Sequence, residues 1–347
     1  MHRSPDTLFA LPGEPPHEQV SMFCDAGSGL RTIIAIHSTA RGPAFGGCRV
    51  WSYASDADAL RDALRLSHGM SLKNALAGLP FGGGKAVILK PVETPERASL
   101  FQAFGKRVDM LGGRYITAED VGSTTDDMRA VQRNTAFVSG IPRDGSFGGD
   151  PSPKTAWGVF LAIDEAVRHV MKRPLDGVTV AVQGLGSVGM ALCRHLHAAG
   201  ARLKVSDLDQ DRVRYAQSTF AAMPVDSDQI LATPCDVLAP CALGGVLNAS
   251  SVPRVAAAIV VGASNNQLLT PADGDALHAR GVLYLPDFLV NAGGIISAAR
   301  EYLGTGDEAE VMREIGMIRQ RVAELLERSG GQAPFRVAQQ WAEALVG

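Results

Sequence analysis

Gly177-Val-Thr-Val-Ala-Val-Gln-Gly184-Leu-Gly186-Ser187-Val188-Gly189 is the stretch that decides the fold. A β-branched run ends in Gly-x-Gly-x-x-Gly, a helical pattern follows to Ala199, and a second strand, Arg202 to Ser206, ends at Asp207. In such a unit Gly184 makes the turn, Gly186 admits a pyrophosphate to the helix N-terminus formed by Ser187 and Val188, and Gly189 lets helix and strand pack. A bare glycine triplet is weak evidence. Here both flanking strands are present and an acid stands 18 residues beyond Gly189, which makes the segment a dinucleotide site. Asp207 is placed to accept hydrogen bonds from the adenosine ribose, where a 2′-phosphate would be repelled, so NAD is expected rather than NADP.

The alternation continues downstream. A helix from Asp209, a strand at Val237 to Ala239, a helix at Ser250 to Ala256, and strands at Ile259 to Gly262 and Val282 to Leu285 complete a doubly wound sheet. Its strand ends carry Cys241 and Ala242, then Ala263 and Asn265, then Asn291, small and amide side chains suited to a nicotinamide ribose and carboxamide. Helices are expected at Thr155 to His169, Glu308 to Arg328 and Ala333 to Leu345. Gly140 to Pro153 is too rich in glycine and proline for regular structure and reads as a hinge. The expected organisation is therefore α/β with two domains. Residues 1–148 form an α/β substrate-binding, catalytic and oligomerisation domain, with the 331–347 helix packing back on it. Residues 149–330 form a Rossmann-type NAD-binding domain, with a cleft between the two.

In the N-terminal half the first twenty residues are proline-punctuated and expected to meander, and the first strand is Arg31 to His37. Gly42-Pro-Ala-Phe45-Gly46-Gly47-Cys-Arg49 reads as a turn in which the paired glycines permit close backbone approach. Ser55 with Asp58 resembles a capping box opening the helix that delivers Lys73. Ser71 to Lys85 then places two lysines on either side of Gly82-Gly-Gly84, read as a turn that presents Lys85. A phosphate-binding P-loop does not fit: Lys85 stands seven residues after Gly78 and is followed by Ala86, with no hydroxyl for magnesium. After a strand at Ala86 to Leu89 and a helix at Pro95 to Met110, the strand Arg114 to Thr117 runs into Ala118-Glu119-Asp120. A carboxylate at a strand end suits an active site in an open α/β sheet and equally a solvated turn.

Length and composition narrow the classes. At 347 residues with 46% hydrophobic content the chain is large enough for two cores. A formal charge of −3, with no basic run interleaved with aromatics, argues against nucleic acid as a partner. The N-terminus lacks the apolar stretch of a secretory signal and no long apolar run suggests a membrane span, so a cytoplasmic location is expected. The five cysteines are scattered without Cys-x-x-Cys spacing, and His195 and His197 lie two apart on a helix, so neither disulfides nor a metal site is expected.

The motifs jointly resemble the amino-acid dehydrogenases of the glutamate, leucine, phenylalanine and valine dehydrogenase superfamily, and the leucine/valine branch most. The resemblance runs from Arg31 to Leu345 through Gly-Pro-Ala-Phe-Gly-Gly, Gly69-Met-Ser-Leu-Lys-Asn, Gly-Gly-Gly-Lys-Ala, Thr-Ala-Glu-Asp-Val-Gly, Gly-Asp-Pro-Ser-Pro, the nucleotide fingerprint, Ala-Pro-Cys-Ala-Leu-Gly, Asn-Asn-Gln-Leu and Asn-Ala-Gly-Gly. It implies NAD-dependent, reversible oxidative deamination of an L-amino acid to the 2-oxo acid and ammonia, by a homo-oligomer such as a dimer or octamer. Lys73 would bind the α-carboxylate, Lys85 would activate water and Asp120 would carry protons to and from the substrate nitrogen. Asn291 would position substrate and nicotinamide. Phe45, Gly46, Gly47 and Ala118 would line the substrate site. Thr155, Gly184, Gly186, Ser187, Val188, Gly189, Asp207, Cys241, Ala242, Ala263, Asn265 and Asn291 would hold the cofactor. Glutamate dehydrogenases of the superfamily have lysine where this chain has Phe45, so an apolar, branched-chain substrate is expected. Phe45 is also bulkier than the leucine usual in the leucine/valine branch, which leaves an aromatic substrate as the alternative. A hydroxy-acid oxidoreductase would lack the trio Lys73, Lys85 and Asp120, and a non-catalytic NAD-binding protein would be expected to have lost one of them.

Overall fold

The computed structural model describes residues 15–91, 96–141 and 147–347, and the chain forms two compact units. The first comprises residues up to Asp150 together with Ala298–Asp307 and Ala342–Gly347. Its elements are β1 (Gln19–Asp25), β2 (Leu30–Ser38), β3 (Ala44–Phe45), β4 (Cys48–Trp51), α1 (Asp56–Leu76), β5 (Gly82–Leu89), α2 (Arg97–Asp109), β6 (Tyr115–Ile116) and α3 (Thr125–Gln132). The sheet order is β1-β2-β5-β3-β6, with β4 also paired to β5; β1/β2 and β2/β5 are antiparallel and the other pairings parallel. One face packs Ile34, Ile36, Ala86 and Ile88 against Phe101, Phe104 and Val108 of α2. On the other, Ile33, Ala35 and Val87 meet Ala59, Ala63 and Leu64 of α1.

Two sequence expectations are corrected here. The segment before Arg31 contains β1, which pairs with β2 from Gln19↔Ile36 to Asp25↔Leu30. Its side chains alternate between half-buried and exposed, so it carries no run of buried apolar residues to announce it. The glycine run is not a turn either: Gly82, Gly83 and Gly84 open the central strand β5, and none has positive φ. They are glycines because neighbours press on them. A Cβ on Gly83 would lie 2.6 Å from the Ser67 carbonyl oxygen of α1, and one on Gly84 would lie 2.8 Å from the Tyr115 ring.

The second unit contains Pro151–Ser297 and Glu308–Trp341. It begins with α4 (Ser152–Met171), β7 (Thr179–Gln183), α5 (Ser187–Ala198), β8 (Arg202–Ser206), α6 (Gln210–Phe220) and β9 (Met223–Pro224). It continues with β10 (Val237–Pro240), β11 (Ile259–Val260), α7 (Pro271–Ala279), β12 (Leu283–Tyr284), α8 (Asp287–Val290), the first part of α9 (Gly293–Leu303), α10 (Glu308–Ser329) and the first part of α11 (Pro334–Val346), the ends of α9 and α11 belonging to the first unit. All strands are parallel in the order β12-β11-β10-β7-β8-β9, the doubly wound arrangement that reverses direction beside the first strand, where dinucleotides bind.

The helix expected at Ser250 to Ala256 is only a 3-10 turn, Val252–Arg254. Pro253 supplies no N–H, the Asn248 side chain takes the Ser250 N–H at 3.0 Å, and Arg280 donates to the Val252 and Val255 carbonyls that a helix would have used. The expected hinge, 140–153, lies partly outside the described residues; α4 begins within it at Ser152, with proline in its first turn.

Candidate functional site

In the first unit β5 carries Lys85 and the segment after β6 carries Asp120. Lys85 Nζ lies 2.9 Å from Asp120 Oδ2, and Lys85 is 3% exposed. Asp120 is fixed by its own turn: its N–H donates to Ser123 Oγ at 2.9 Å, and that hydroxyl donates to the Cys48 carbonyl at 2.8 Å, tying the turn to β4. Burial pushes the Asp120 carboxyl up, but Lys85 and then Arg49 more than offset it and hold Asp120 well below the usual carboxylate range.

Arg49 was not singled out from the sequence. Its Nε stands 3.3 Å from Asp120 Oδ2 and its Nη1 3.0 Å from Asp62 Oδ2, while the Tyr53 hydroxyl donates to the same Asp62 oxygen at 2.5 Å. Charges thus alternate along Lys85, Asp120, Arg49 and Asp62. The one hint available in the sequence is that Cys48-Arg49 directly follows the paired glycines.

Gly46 and Gly47 lie against the protein's own backbone. A Cβ on Gly46 would meet Gly84, and one on Gly47 would lie 2.6 Å from the Glu119 carbonyl and 2.9 Å from Asp120 Cβ. Gly46 thus lets the chain between β3 and β4 sit against β5, and Gly47 lets it sit against the Asp120 turn. Phe45 is wholly buried, edge-on to Phe81 with ring centroids 5.0 Å apart and 6.0 Å from the Tyr302 ring. Ala118 is buried too, its carbonyl accepting the Cys48 N–H at 2.8 Å. Lys73 is buried in the last turn of α1, beside Asn74, whose side-chain amide donates to the Gly82 carbonyl at 2.6 Å and the Phe45 carbonyl at 3.2 Å. That clamp joins the Lys73 helix to the strands on which Lys85 and Phe45 stand. Glu301 and Tyr302 were likewise not expected: the buried Glu301 carboxylate accepts the Gly140 and Ile141 N–H groups, each at 2.7 Å, and both residues line a cavity of about 320 Å³ with Thr135 and Val138.

In the second unit the fingerprint residues gather at the carboxyl ends of the strands. Gly184 has φ of +94° and packs on Ala242, so that a Cβ would lie 2.8 Å from the Ala242 Cβ. Gly189 sits against Gly184 and Cys241, where a Cβ would lie 3.4 Å from the Cys241 Cβ. Gly186, by contrast, faces open space: the nearest atom to a Cβ there would be an Arg212 nitrogen at 4.0 Å. Gly186 caps α5 without any side-chain hydrogen bond, so the N–H groups of the first turn, including Ser187 and Val188, remain available to an anion. Asp207 accepts the Leu185 N–H at 2.5 Å and the Asp209 N–H at 2.8 Å, holding the loop as well as closing β8.

Beyond the carboxyl ends of β11 and β12 the Asn291 amide donates to the Ala263 carbonyl at 3.0 Å and to Asn265 Oδ1 at 2.9 Å, while its own buried Oδ1 has no hydrogen-bond partner. An orphaned acceptor of this kind suits a carboxamide donor. Thr155, in the first turn of α4, donates to the Pro151 carbonyl at 3.1 Å and packs on Gly294. These residues fit a dinucleotide. Among the described residues no cluster of metal-ligating side chains occurs, and no helix is long and apolar enough to cross a membrane.

A doubly wound parallel sheet with the glycine fingerprint in one unit and a buried lysine–aspartate pair in the other fit a nicotinamide-dependent dehydrogenase. Family models described as "Glu/Leu/Phe/Val dehydrogenase, dimerisation domain" and "Glutamate/Leucine/Phenylalanine/Valine dehydrogenase" match residues 17–137, and 150–211 with 203–324, respectively. The chain is 45% identical to a leucine dehydrogenase of Geobacillus stearothermophilus over 313 residues, 90% of this chain and 85% of that protein. It is 45% identical to a valine dehydrogenase of Streptomyces coelicolor over 292 residues, 83% and 80% of the two chains. The solved structure of L-tryptophan dehydrogenase from Nostoc punctiforme is similar with a TM-score of 0.77 and 40% identity, covering 95% of this chain and 96% of that one. The chain belongs to the Glu/Leu/Phe/Val dehydrogenase family: it is an NAD-dependent amino-acid dehydrogenase, an oxidoreductase acting on a CH–NH2 group.

Proposed function

We propose that the protein oxidatively deaminates apolar L-amino acids, branched-chain ones foremost, and does so as a homo-oligomer. The observation that carries the chemistry is the buried ion pair of Lys85 and Asp120 at 2.9 Å. The observation that carries the substrate class is Phe45, buried against Phe81 and Tyr302 where a cation would be needed to grip a side-chain carboxylate. A description of the matching N-terminal family model as a dimerisation domain supports the assembly.

In this reading Lys73 binds the substrate α-carboxylate. NAD, which the Gly184–Gly189 loop, Asp207 and Asn291 would hold, would supply the acceptor for the α-hydrogen as hydride, so that the substrate amine becomes an iminium. Lys85 then removes a proton from the attacking water, and for this it must be a neutral amine. Asp120 is its hydrogen-bonding neighbour and takes up and returns the protons of the substrate nitrogen as the carbinolamine collapses to oxo acid and ammonia. Asp120 starts as a carboxylate because Lys85 and Arg49 both face it, so it is ready to accept.

The aliphatic pocket discriminates by methylenes, each worth roughly 1–3 kcal/mol, so leucine, valine and isoleucine should be accepted with graded rates. NADH formation measured across the common L-amino acids tests the proposal. Glutamate turning over faster than leucine and valine would refute the substrate class, and tryptophan or phenylalanine leading the panel would replace branched-chain by aromatic substrates.

A further inference from the structure

We infer that Arg49 is a positioning residue for this reaction: clamped by Asp62, it keeps a permanent positive charge against Asp120 and so sets the pH range over which the Lys85–Asp120 pair exchanges protons. The inference rests on the proposed roles of Lys85 and Asp120.

The geometry carries it. Both cations converge on one oxygen, Asp120 Oδ2, Lys85 at 2.9 Å and Arg49 at 3.3 Å. Lys85 has to surrender its proton during the cycle, whereas a guanidinium does not deprotonate in proteins. At that moment Arg49 is the charge that keeps Asp120 from being a lone carboxylate in a largely buried place. The other ionisable groups nearby do not help. The Cys48 thiol and the Tyr115 phenol are both pushed up by burial and stay neutral. Glu119 is raised by burial despite the Thr125 hydroxyl it accepts at 2.9 Å. Asp127 is paired with Arg97 at 2.7 Å.

Arg49 is itself held from two sides of its planar fork, Nε toward Asp120 and Nη1 toward Asp62, an arrangement that a lysine's point charge cannot reproduce. Asp62 is pinned in turn by the Tyr53 hydroxyl at 2.5 Å. Tyr53 and Arg49 come from the β4 region and Asp62 from α1, so the clamp spans two elements within one unit.

The pair titrates as a unit, and its protons are held more tightly when a neighbouring positive charge is removed. For oxidative deamination kcat/KM should rise with pH as the pair loses its proton. In Arg49→Met that rise should move to higher pH by about one to two units. Asp62→Asn, which keeps the hydrogen-bond acceptor and removes a negative charge, should move it the other way by a smaller amount. Arg49→Lys restores the charge and should bring the rise back to within about half a unit of wild type, even if kcat stays low through poorer geometry.

A merely structural Arg49 would lower kcat without moving the profile, so an unmoved rise in Arg49→Met overturns the inference, as do shifts of the same sign in Arg49→Met and Asp62→Asn. Should Arg49→Met not fold, as judged by thermal unfolding, Asp62→Asn decides alone: a shift to lower pH supports the inference and an unmoved rise overturns it. Lys85→Ala and Asp120→Asn separate the two levels. If either keeps near-wild-type kcat, the reading of the site itself has failed. If both collapse while the Arg49 profile stays put, only the positioning role has failed.

Discussion

Gly83→Ala is the perturbation that best tests why the chain carries three glycines before Lys85. The added Cβ would stand 2.6 Å from the Ser67 carbonyl oxygen and nearer still to the backbone nitrogen and hydroxyl of Ser71. Two of those three atoms are backbone of α1, so no side-chain rotation relieves the clash. To reach ordinary contact α1 must retreat from β5 by about 1 Å. Overpacking of this sort costs about 1–3 kcal/mol, and the backbone contacts put this site at the upper end. For a unit of this size that corresponds to a fall in Tm of roughly 5–10 °C. Activity should suffer more than stability, because α1 carries Lys73 and β5 carries Lys85 two residues past the substitution. Misplacing reacting groups by about 1 Å is worth on the order of 10²-fold in kcat/KM. Gly316→Ala is the matching control: Gly316 lies in α10, a Cβ there would meet nothing within 4 Å, and the change should be neutral or stabilising by up to about 1 kcal/mol. Differential scanning fluorimetry and steady-state kinetics on the two variants suffice. Gly83→Ala with Tm and kcat/KM at wild-type values would refute the argument that the glycines exist for close packing.

Further expectations concern the lysines, the cofactor and acid stability. Lys73→Ala should chiefly raise KM for the amino acid, whereas Lys85→Ala and Asp120→Asn should lower kcat by about 10²–10⁴-fold with NADH binding, followed by fluorescence titration, nearly intact. NAD should be used far more efficiently than NADP. Because Asp207 also accepts the Leu185 and Asp209 N–H groups, Asp207→Asn is a cleaner test than alanine, and equal kcat/KM for the two cofactors in the wild type would remove the ribose assignment. The rings of His17, His37 and His68 pack at centroid distances of 5.1 and 4.7 Å, and burial lowers His37 to about 3 and His68 to about 4. The unfolded chain therefore binds protons that the folded one refuses. Stability from this cluster is complete above the unfolded value of 6.5 and is lost as pH falls toward 4 and then 3, by on the order of 1 kcal/mol per pH unit for each ring. His37→Asn, which retains a partner for the Ser71 hydroxyl, should flatten the fall of Tm between pH 6 and 4; an unchanged slope would show the cluster is not responsible.

The dinucleotide unit was legible because its signals are local. The strand, fingerprint, helix and acid from Thr179 to Asp207 lie within one stretch of chain, and the structure places them at the strand ends where the pattern requires. Two helices absent from the sequence reading had start signals that were there to be used: Thr124 with Asp127 for α3 and Thr270-Pro271 with Asp273 for α7 are reciprocal capping boxes. The helix α9 had no such signal. It opens with Gly293-Gly294, which propensity counts against a helix, and their reason is contact: a Cβ on Gly293 would lie 2.7 Å from the Lys154 carbonyl carbon and one on Gly294 2.6 Å from Thr155 Oγ1. The network of Arg49, Asp62 and Asp120 was hidden for a related cause, since its members are brought together by sheet pairing and a helix crossing rather than by spacing.

The glycine run shows where reading from sequence meets a physical ambiguity. Glycine has two distinct uses, access to positive φ and absence of a Cβ, and a string of letters does not say which is in force. Gly184 uses both, with φ of +94° and Ala242 against it, and a turn is the correct inference. Gly82 to Gly84 use only the second, in an extended strand, and inferring a turn there was an error of cause, although the conclusion that something approaches closely was sound. What approaches differs along the run: the Ser38 and Gly42 carbonyls at Gly82, α1 at Gly83 and the Tyr115 ring at Gly84. Gly83 in particular brings the helix that carries Lys73 down onto the strand that carries Lys85, and the same helix places the Asn74 clamp on Gly82 and Phe45. On this account, alanine in the run fails because of its neighbours and not its backbone. Because the Ser71 nitrogen and the Ser67 carbonyl also press on a Cβ at Gly83, Ser71→Gly, which removes only the hydroxyl, should leave most of the activity lost in Gly83→Ala unrecovered, and full recovery would show that the hydroxyl alone, not the α1 backbone, sets the packing.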